Sequence, residues 1–95
     1  MSRPKPKIIL SNPEKNYRAT QVLEAEAIYA VFHEGKAINL KLIHTMRDDI
    51  SPKYLKNSFS NEAHAHNLRN KLNKMFKTEK FDVYKLTIGE KILEE

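Results

Sequence analysis

The stretch from Ala25 to Ile43, AEAIYAVFHEGKAINLKLI, constrains the fold more than any other part of the chain. Apolar residues alternate on both sides of Glu34-Gly35, as in two half-buried strands folded back on each other. Gly35 supplies the positive φ that a two-residue hairpin turn demands. Such a turn pairs His33 with Lys36, Val31 with Ile38, Tyr29 with Leu40 and Ala27 with Leu42. In that register Ala27, Tyr29, Val31, Ile38, Leu40 and Leu42 share one face. A slip by one residue scatters them, so the register is strongly specified. The other face holds Ile28, Ala30 and Phe32 beside Ala37, Asn39, Lys41 and Ile43. The alternation extends upstream, with Gln21 as an exception, and predicts one long strand from about residue 20 to 33.

Other elements follow from local signals. Lys7 to Leu10 reads as a short edge strand, and Ser11-Asn12-Pro13-Glu14 as a turn. Residues 44–60 form a long connection, in which Ser51-Pro52 starts one helical turn. The segment 60–77, SNEAHAHNLRNKLNKMFK, is the clearest helix, with Ser60 as N-cap and Glu62 suited to the positive end of the helix dipole. At 100° per residue, Ala65, Leu68, Leu72, Met75 and Phe76 gather on one side, which should pack on the hairpin. Residues 81–88, FDVYKLTI, read as a strand rich in β-branched and aromatic residues, ended by Gly89. The expected architecture is α+β: a long hairpin and a C-terminal strand in an antiparallel sheet, with one main amphipathic helix on one face. Residues 1–6 are expected to be a flexible basic arm, 7–90 a single domain, and 91–95 an acidic tail. The tail from Glu90 onward is a candidate for a short helix.

The 95 residues suffice for one modest core. The formal charge is +5, from 17 basic and 12 acidic residues. Residues 1–20, 36–60 and 61–80 each carry five bases, while the acids gather in 21–35 and 81–95. A basic balance favours anionic partners. The N-terminus lacks the apolar run of a signal peptide, and no stretch approaches about 20 apolar residues. The expectation is a cytoplasmic protein, or one exported without an N-terminal signal, with no membrane association.

The residues argue against several kinds of chemistry. There is no Cys for a disulfide, a thiolate metal site or a thiol nucleophile. The only two glycines stand at 35 and 89, so a Gly-rich phosphate cradle is missing. His64 and His66, two apart on a helix, point to opposite sides and do not share a metal. Asp48-Asp49 has no third carboxylate nearby and reads as a turn cap or a local pair with Arg47. None of Ser51, Ser58 or Ser60 has the glycine context of a nucleophile elbow. No enzyme activity, cofactor or metal is expected.

The leading expectation is a small binding module for an anionic partner, nucleic acid before others. Arg69, Lys74 and Lys77 decorate the helix, with Asn67, Asn70 and Asn73 among them as donors to phosphate or base edges. Arg3 and Lys5 belong to the N-terminal arm. Lys53, Tyr54 and Lys56 place an aromatic ring between two cations, which suits base stacking. The alternative is a protein-interaction module, an adaptor, inhibitor or subunit. It would use a sheet edge or the mixed hairpin face at Ile28, Phe32 and Ile43. Oligomeric state is left open.

Overall fold

The computed structural model describes residues 7–93. Its described elements are eight strands and one helix in an α+β arrangement. The strands are β1 (Ile8–Pro13), β2 (Ala19–Leu23), β3 (Ile28–His33), β4 (Lys36–Ala37), β5 (Leu40–Leu42), β6 (Lys53–Leu55), β7 (Ser58–Phe59) and β8 (Phe81–Leu86). The helix α1 spans Glu62–Met75. The expected arm at Arg3 and Lys5 and the last two residues of the acidic tail lie outside the described residues.

β3 is the centre of the body. It pairs antiparallel along its whole length with β8, from Ile28 opposite Leu86 to His33 opposite Phe81. Its other edge is shared by two short strands, β4 and β7. Helix α1 covers one face. Ala65 packs with Ala27 and Tyr29, and Leu72 packs with Val31 and Phe81. Tyr29, Val31 and Phe81 are odd-numbered positions of β3 and β8, as the period-two alternation of a strand requires. Val31 and Ala65 are completely buried. Ile38, Leu40 and Leu68 pack at the margin of the same core.

The turn at Glu34-Gly35 forms as the sequence indicates. Both residues lie in the left-handed region, with φ of 48° and 77°, as a type I′ turn requires. His33 sits opposite Lys36 and Phe32 opposite Ala37. The second arm then departs from the expected register. Its strand stops at Ala37, and β5 pairs with β6 instead, Leu40 with Leu55, Lys41 with Tyr54 and Leu42 with Lys53. Asn57 is the cause. Its carbonyl accepts the Val31 N–H (3.1 Å), and its side-chain amide donates to the Ile38 carbonyl (2.7 Å). The edge position beside Val31 that Ile38 would have filled is thereby taken. β7 continues the pairing, with Phe59 opposite Tyr29.

The strand expected over 20–33 is two strands. Glu24, Ala25, Glu26 and Ala27 are poor strand formers, and the chain breaks there. The Glu24 N–H donates to the Lys7 carbonyl (2.7 Å), closing a separate β1–β2 hairpin. β1 runs through the expected turn at 11–14, and the turn falls at 14–18, with Asn16 and Tyr17 at positive φ. Ser51-Pro52 leads into strand β6 at Lys53 rather than starting a helical turn, in keeping with the Tyr-Leu that follows. The N-cap of α1 is Asn61, whose side chain accepts the Ala63 N–H, rather than Ser60. The helix ends at Met75 because Lys77 adopts φ of 52°, which reverses the chain. β8 ends at Leu86, and residues 87–93 form neither helix nor strand.

The turn carries a test. Gly35→Val is expected to cost about 1–3 kcal/mol, because a β-branched residue is strained at positive φ. Space is not the reason, since an added Cβ would meet only the Tyr84 hydroxyl at 3.5 Å. Glu34→Asn is expected to be neutral within about 0.5 kcal/mol. Asn tolerates the left-handed region better, which offsets loss of the exposed Glu34–Lys80 pair (3.0 Å). Thermal melts of the two variants check both statements, and a Gly35→Val melt equal to wild type would overturn the turn assignment.

Candidate interaction surfaces

Three surfaces stand out, two holding side chains singled out above and one, the β1–β2 hairpin, that sequence did not mark. The first is the face of β3 and β8 turned away from the helix. It presents Ile28, Ala30 and Phe32 from β3 and Asp82, Tyr84 and Leu86 from β8. The Phe32 and Tyr84 rings stack with centroids 4.4 Å apart and planes within 10°. Ile28, Leu86 and Tyr84 remain 44%, 41% and 39% exposed. Small residues flank the stack, with Ala37 opposite Phe32 and Ser58 opposite Ala30. Ile28 and Phe32 therefore share a face as the alternation indicates. Ile43 does not join them. It follows β5, which has left the sheet, and it is exposed. Tyr84 and Leu86 take its place. The alternation in FDVYKL marks them once β8 is known to pair with β3, and that pairing is not visible in sequence.

The second surface is the β1–β2 hairpin. Leu10 lies opposite Val22 on one side, and Ile8 lies opposite Leu23 on the other, because Ile9 is an extra residue that shifts the register. All five large apolar side chains are 46–65% exposed. β1 and β2 pair with each other and pack against no other described element. Thr20 anchors the turn end by donating to Glu14 (2.6 Å).

The third is the set of basic side chains. Lys74 and Lys77 rim a shallow depression past the helix C-terminus with Lys80, Thr78 and Glu79. Lys80 is paired with Glu34, and this cation holds the Glu34 carboxyl below its usual range. Arg69 is half-buried and donates twice to the Asn70 side chain, at 2.9 and 3.1 Å. Lys53 and Tyr54 are on β6, which packs with β5 and not with α1. Successive residues on a strand point to opposite faces, so Tyr54 shares its face with Lys41 across the strand pair rather than with Lys53. Lys56 lies over the Phe59 ring, 5.2 Å from its centroid. Asn73 is committed elsewhere. Its amide donates to the Phe81 carbonyl (3.1 Å), and its oxygen accepts the Phe81 N–H (3.0 Å).

Exposed pairs hold Glu34, Asp49 and Lys85 in their charged forms. Arg47 donates twice to Asp49, at 3.1 and 2.7 Å, and holds that carboxyl below the usual range. His64 stands edge-on to Phe59, while His66 lies 3.4 Å from Glu62. Among the described residues, no group of three metal-ligating side chains converges. No described helix is long and apolar enough to cross a membrane. Comparison with protein-family models, with curated proteins and with solved structures gives no match.

Proposed function

We propose that this chain is a non-enzymatic protein-interaction module, a subunit that seats its β1–β2 hairpin on a protein partner. One observation carries the reading: the hairpin exposes Ile8, Ile9, Leu10, Val22 and Leu23 and packs against no other described element. An isolated two-stranded hairpin is marginal in water, and it needs a third strand or a covering layer. Exposed apolar side chains of this size, on both sides of one uncovered hairpin, point to an interaction surface.

A second reading, binding to a nucleic acid, draws on the Lys41–Tyr54 pair. There an exposed ring stands beside a cation on one strand face. Lys74 and Lys77 would add phosphate contacts.

One experiment separates the two. The tagged chain is used to capture partners from host extract, with and without nuclease, beside the double variant Leu10→Glu, Val22→Glu. Protein capture that survives nuclease and is lost in the variant is the expected result. Capture abolished by nuclease and untouched by the variant would replace this reading with the nucleic-acid one. The variant's body should melt as wild type does, because the hairpin contributes nothing to the α1–β3–β8 core.

A further inference from the structure

We propose that the outer edge of β8 is a second interaction site, separate from the β1–β2 hairpin. It takes an extended segment of a partner protein as an added strand, with an acidic side chain of that segment set against Arg69.

The backbone of this edge is open. The Glu34 N–H donates to the Lys80 carbonyl (3.0 Å), which fixes the phase of the β3–β8 ladder. Bonded and non-bonded pairs alternate along an antiparallel ladder. Asp82, Tyr84 and Leu86 therefore bond to β3, while Phe81, Val83 and Lys85 turn their N–H and C=O groups outward. Asn73 takes both Phe81 groups, at 3.0 and 3.1 Å. Its side-chain amide does there what the peptide group of a neighbouring strand would do. No described strand or side chain takes the next four groups, those of Val83 and Lys85. Another extended backbone offers donors and acceptors at their spacing.

The other open edges lack this preparation. β4 and β7 have two residues each. β1–β2 and β5–β6 are two-stranded and pack against no other described element, so a guest there would have to order its host as well. β8 pairs with β3 along its whole length without a bulge, and α1 packs on both strands.

Helix α1 also walls one side of the edge and selects the guest by charge. Asn73 reaches Phe81 at one end, and Glu62 acts on the Lys85 ammonium at the other. The helix thus runs antiparallel to β8. Arg69 lies one turn before Asn73 on the same side. That is about 6 Å along the helix, which brings it level with Val83, about 6.6 Å along the strand from Phe81. Lys85 pairs with Glu26 (2.8 Å) and His66 with Glu62 (3.4 Å). Arg69 donates to the neutral Asn70 side chain and has no acidic partner among the described residues. A guest carboxylate beside Val83 supplies one. The β8 of a second copy suits the site less, because its own Asn73 occupies its Phe81 groups and it brings a further Arg69.

The test is selection with the purified chain from a displayed library of random peptides of about nine residues, enough for one strand. Recovered peptides are synthesised and titrated by fluorescence anisotropy. They are expected to carry an acidic residue and to bind with Kd between about 1 mM and 1 μM. N-methylation of the peptide backbone leaves the protein untouched. It should weaken binding about 10-fold at every second residue and little at those between. Lys85→Pro removes one outward N–H and no bond to β3, a change that a sheet edge tolerates. It should weaken binding about 10-fold more than Lys85→Ala does. Arg69→Glu should replace the acidic residue by a basic one in the peptides recovered. No recovered peptide, N-methylation effects without the two-residue period, or equal binding by Lys85→Pro and Lys85→Ala overturns the proposal. If Lys85→Pro fails to fold, the N-methylation period decides. Wild type that sediments as a dimer, with Lys85→Pro a monomer, overturns the partner segment in favour of a second copy at the same edge.

Discussion

Leu72→Ala is expected to lower stability by about 2–5 kcal/mol. Leu72 is 5% exposed and is the one large helix side chain in the cluster with Val31 and Phe81. Its truncation removes the contact that joins α1 to both β3 and β8. A chain of 95 residues has a total stability of about 5–14 kcal/mol, so the loss is a large share of the whole. At about 4–8 °C per kcal/mol, the melting midpoint should fall by roughly 10 °C or more. Leu68→Ala should cost less, because Leu68 is half-buried at the margin of that cluster. Ile43→Ala should stay within about 0.5 kcal/mol, because Ile43 is 59% exposed. Chemical denaturation of the three variants reads the ranking directly. A Leu72→Ala midpoint equal to wild type would remove α1 from the core.

The elements that sequence made legible share one property: their signal is local. The Glu34-Gly35 turn needs only a residue that tolerates positive φ, and helix α1 needs only apolar residues three and four apart. What was not legible depends on groups far apart in the chain. Asn57 reads as a loop residue, yet its backbone and side chain displace the second hairpin arm over a separation of 19 residues at Ile38. Asn73 reads as a solvated helix position, yet it is the acceptor and donor for the start of β8. The long strand failed for a different reason. Alternation continues through Glu24 to Ala27, but it records only which side a residue would face. It does not record whether the segment has an edge to pair with.

The interaction surfaces were half legible for the same reason. Ile28 and Phe32 were placed together by alternation within one strand. Tyr84 and Leu86 could join them only through the β3–β8 register. Leu10 reads only as the end of a short edge strand, and Val22 carries no mark of its own. Their exposure, which carries the functional reading, is a fact of packing and not of pattern. The basic residues show the reverse. Charge is fully visible in sequence, but its grouping is not. Lys53 and Tyr54 sit on a strand pair that does not pack on the helix bearing Lys74 and Lys77.

Asn73→Leu should be the second most damaging single change, at about 2–4 kcal/mol. Leucine keeps the branching and heavy-atom count of the side chain and is the better helix former, so helix propensity opposes any loss. What it removes is the pair of hydrogen bonds to the Phe81 N–H and carbonyl. A buried backbone group left without a partner costs about 1–3 kcal/mol, and here two are orphaned together. Asn73 itself is only partly buried, so water recovers some of that loss and sets the upper bound. Position matters as much as number. Phe81 opens β8, its ring packs on His33 and Phe76, and its backbone pairs with His33. Loosening it frays the end of the sheet nearest the hairpin turn. Asn73→Asp keeps the acceptor and loses the donor, so it should fall between wild type and Asn73→Leu. Hydrogen exchange adds a readout that a general loss of packing would not give. The Phe81 amide should lose protection by a larger factor than the Val31 amide, whose partner is the Asn57 carbonyl. Equal loss at both amides would mean that Asn73 acts through global stability alone, and an unchanged denaturation midpoint would mean that water replaces both of its bonds.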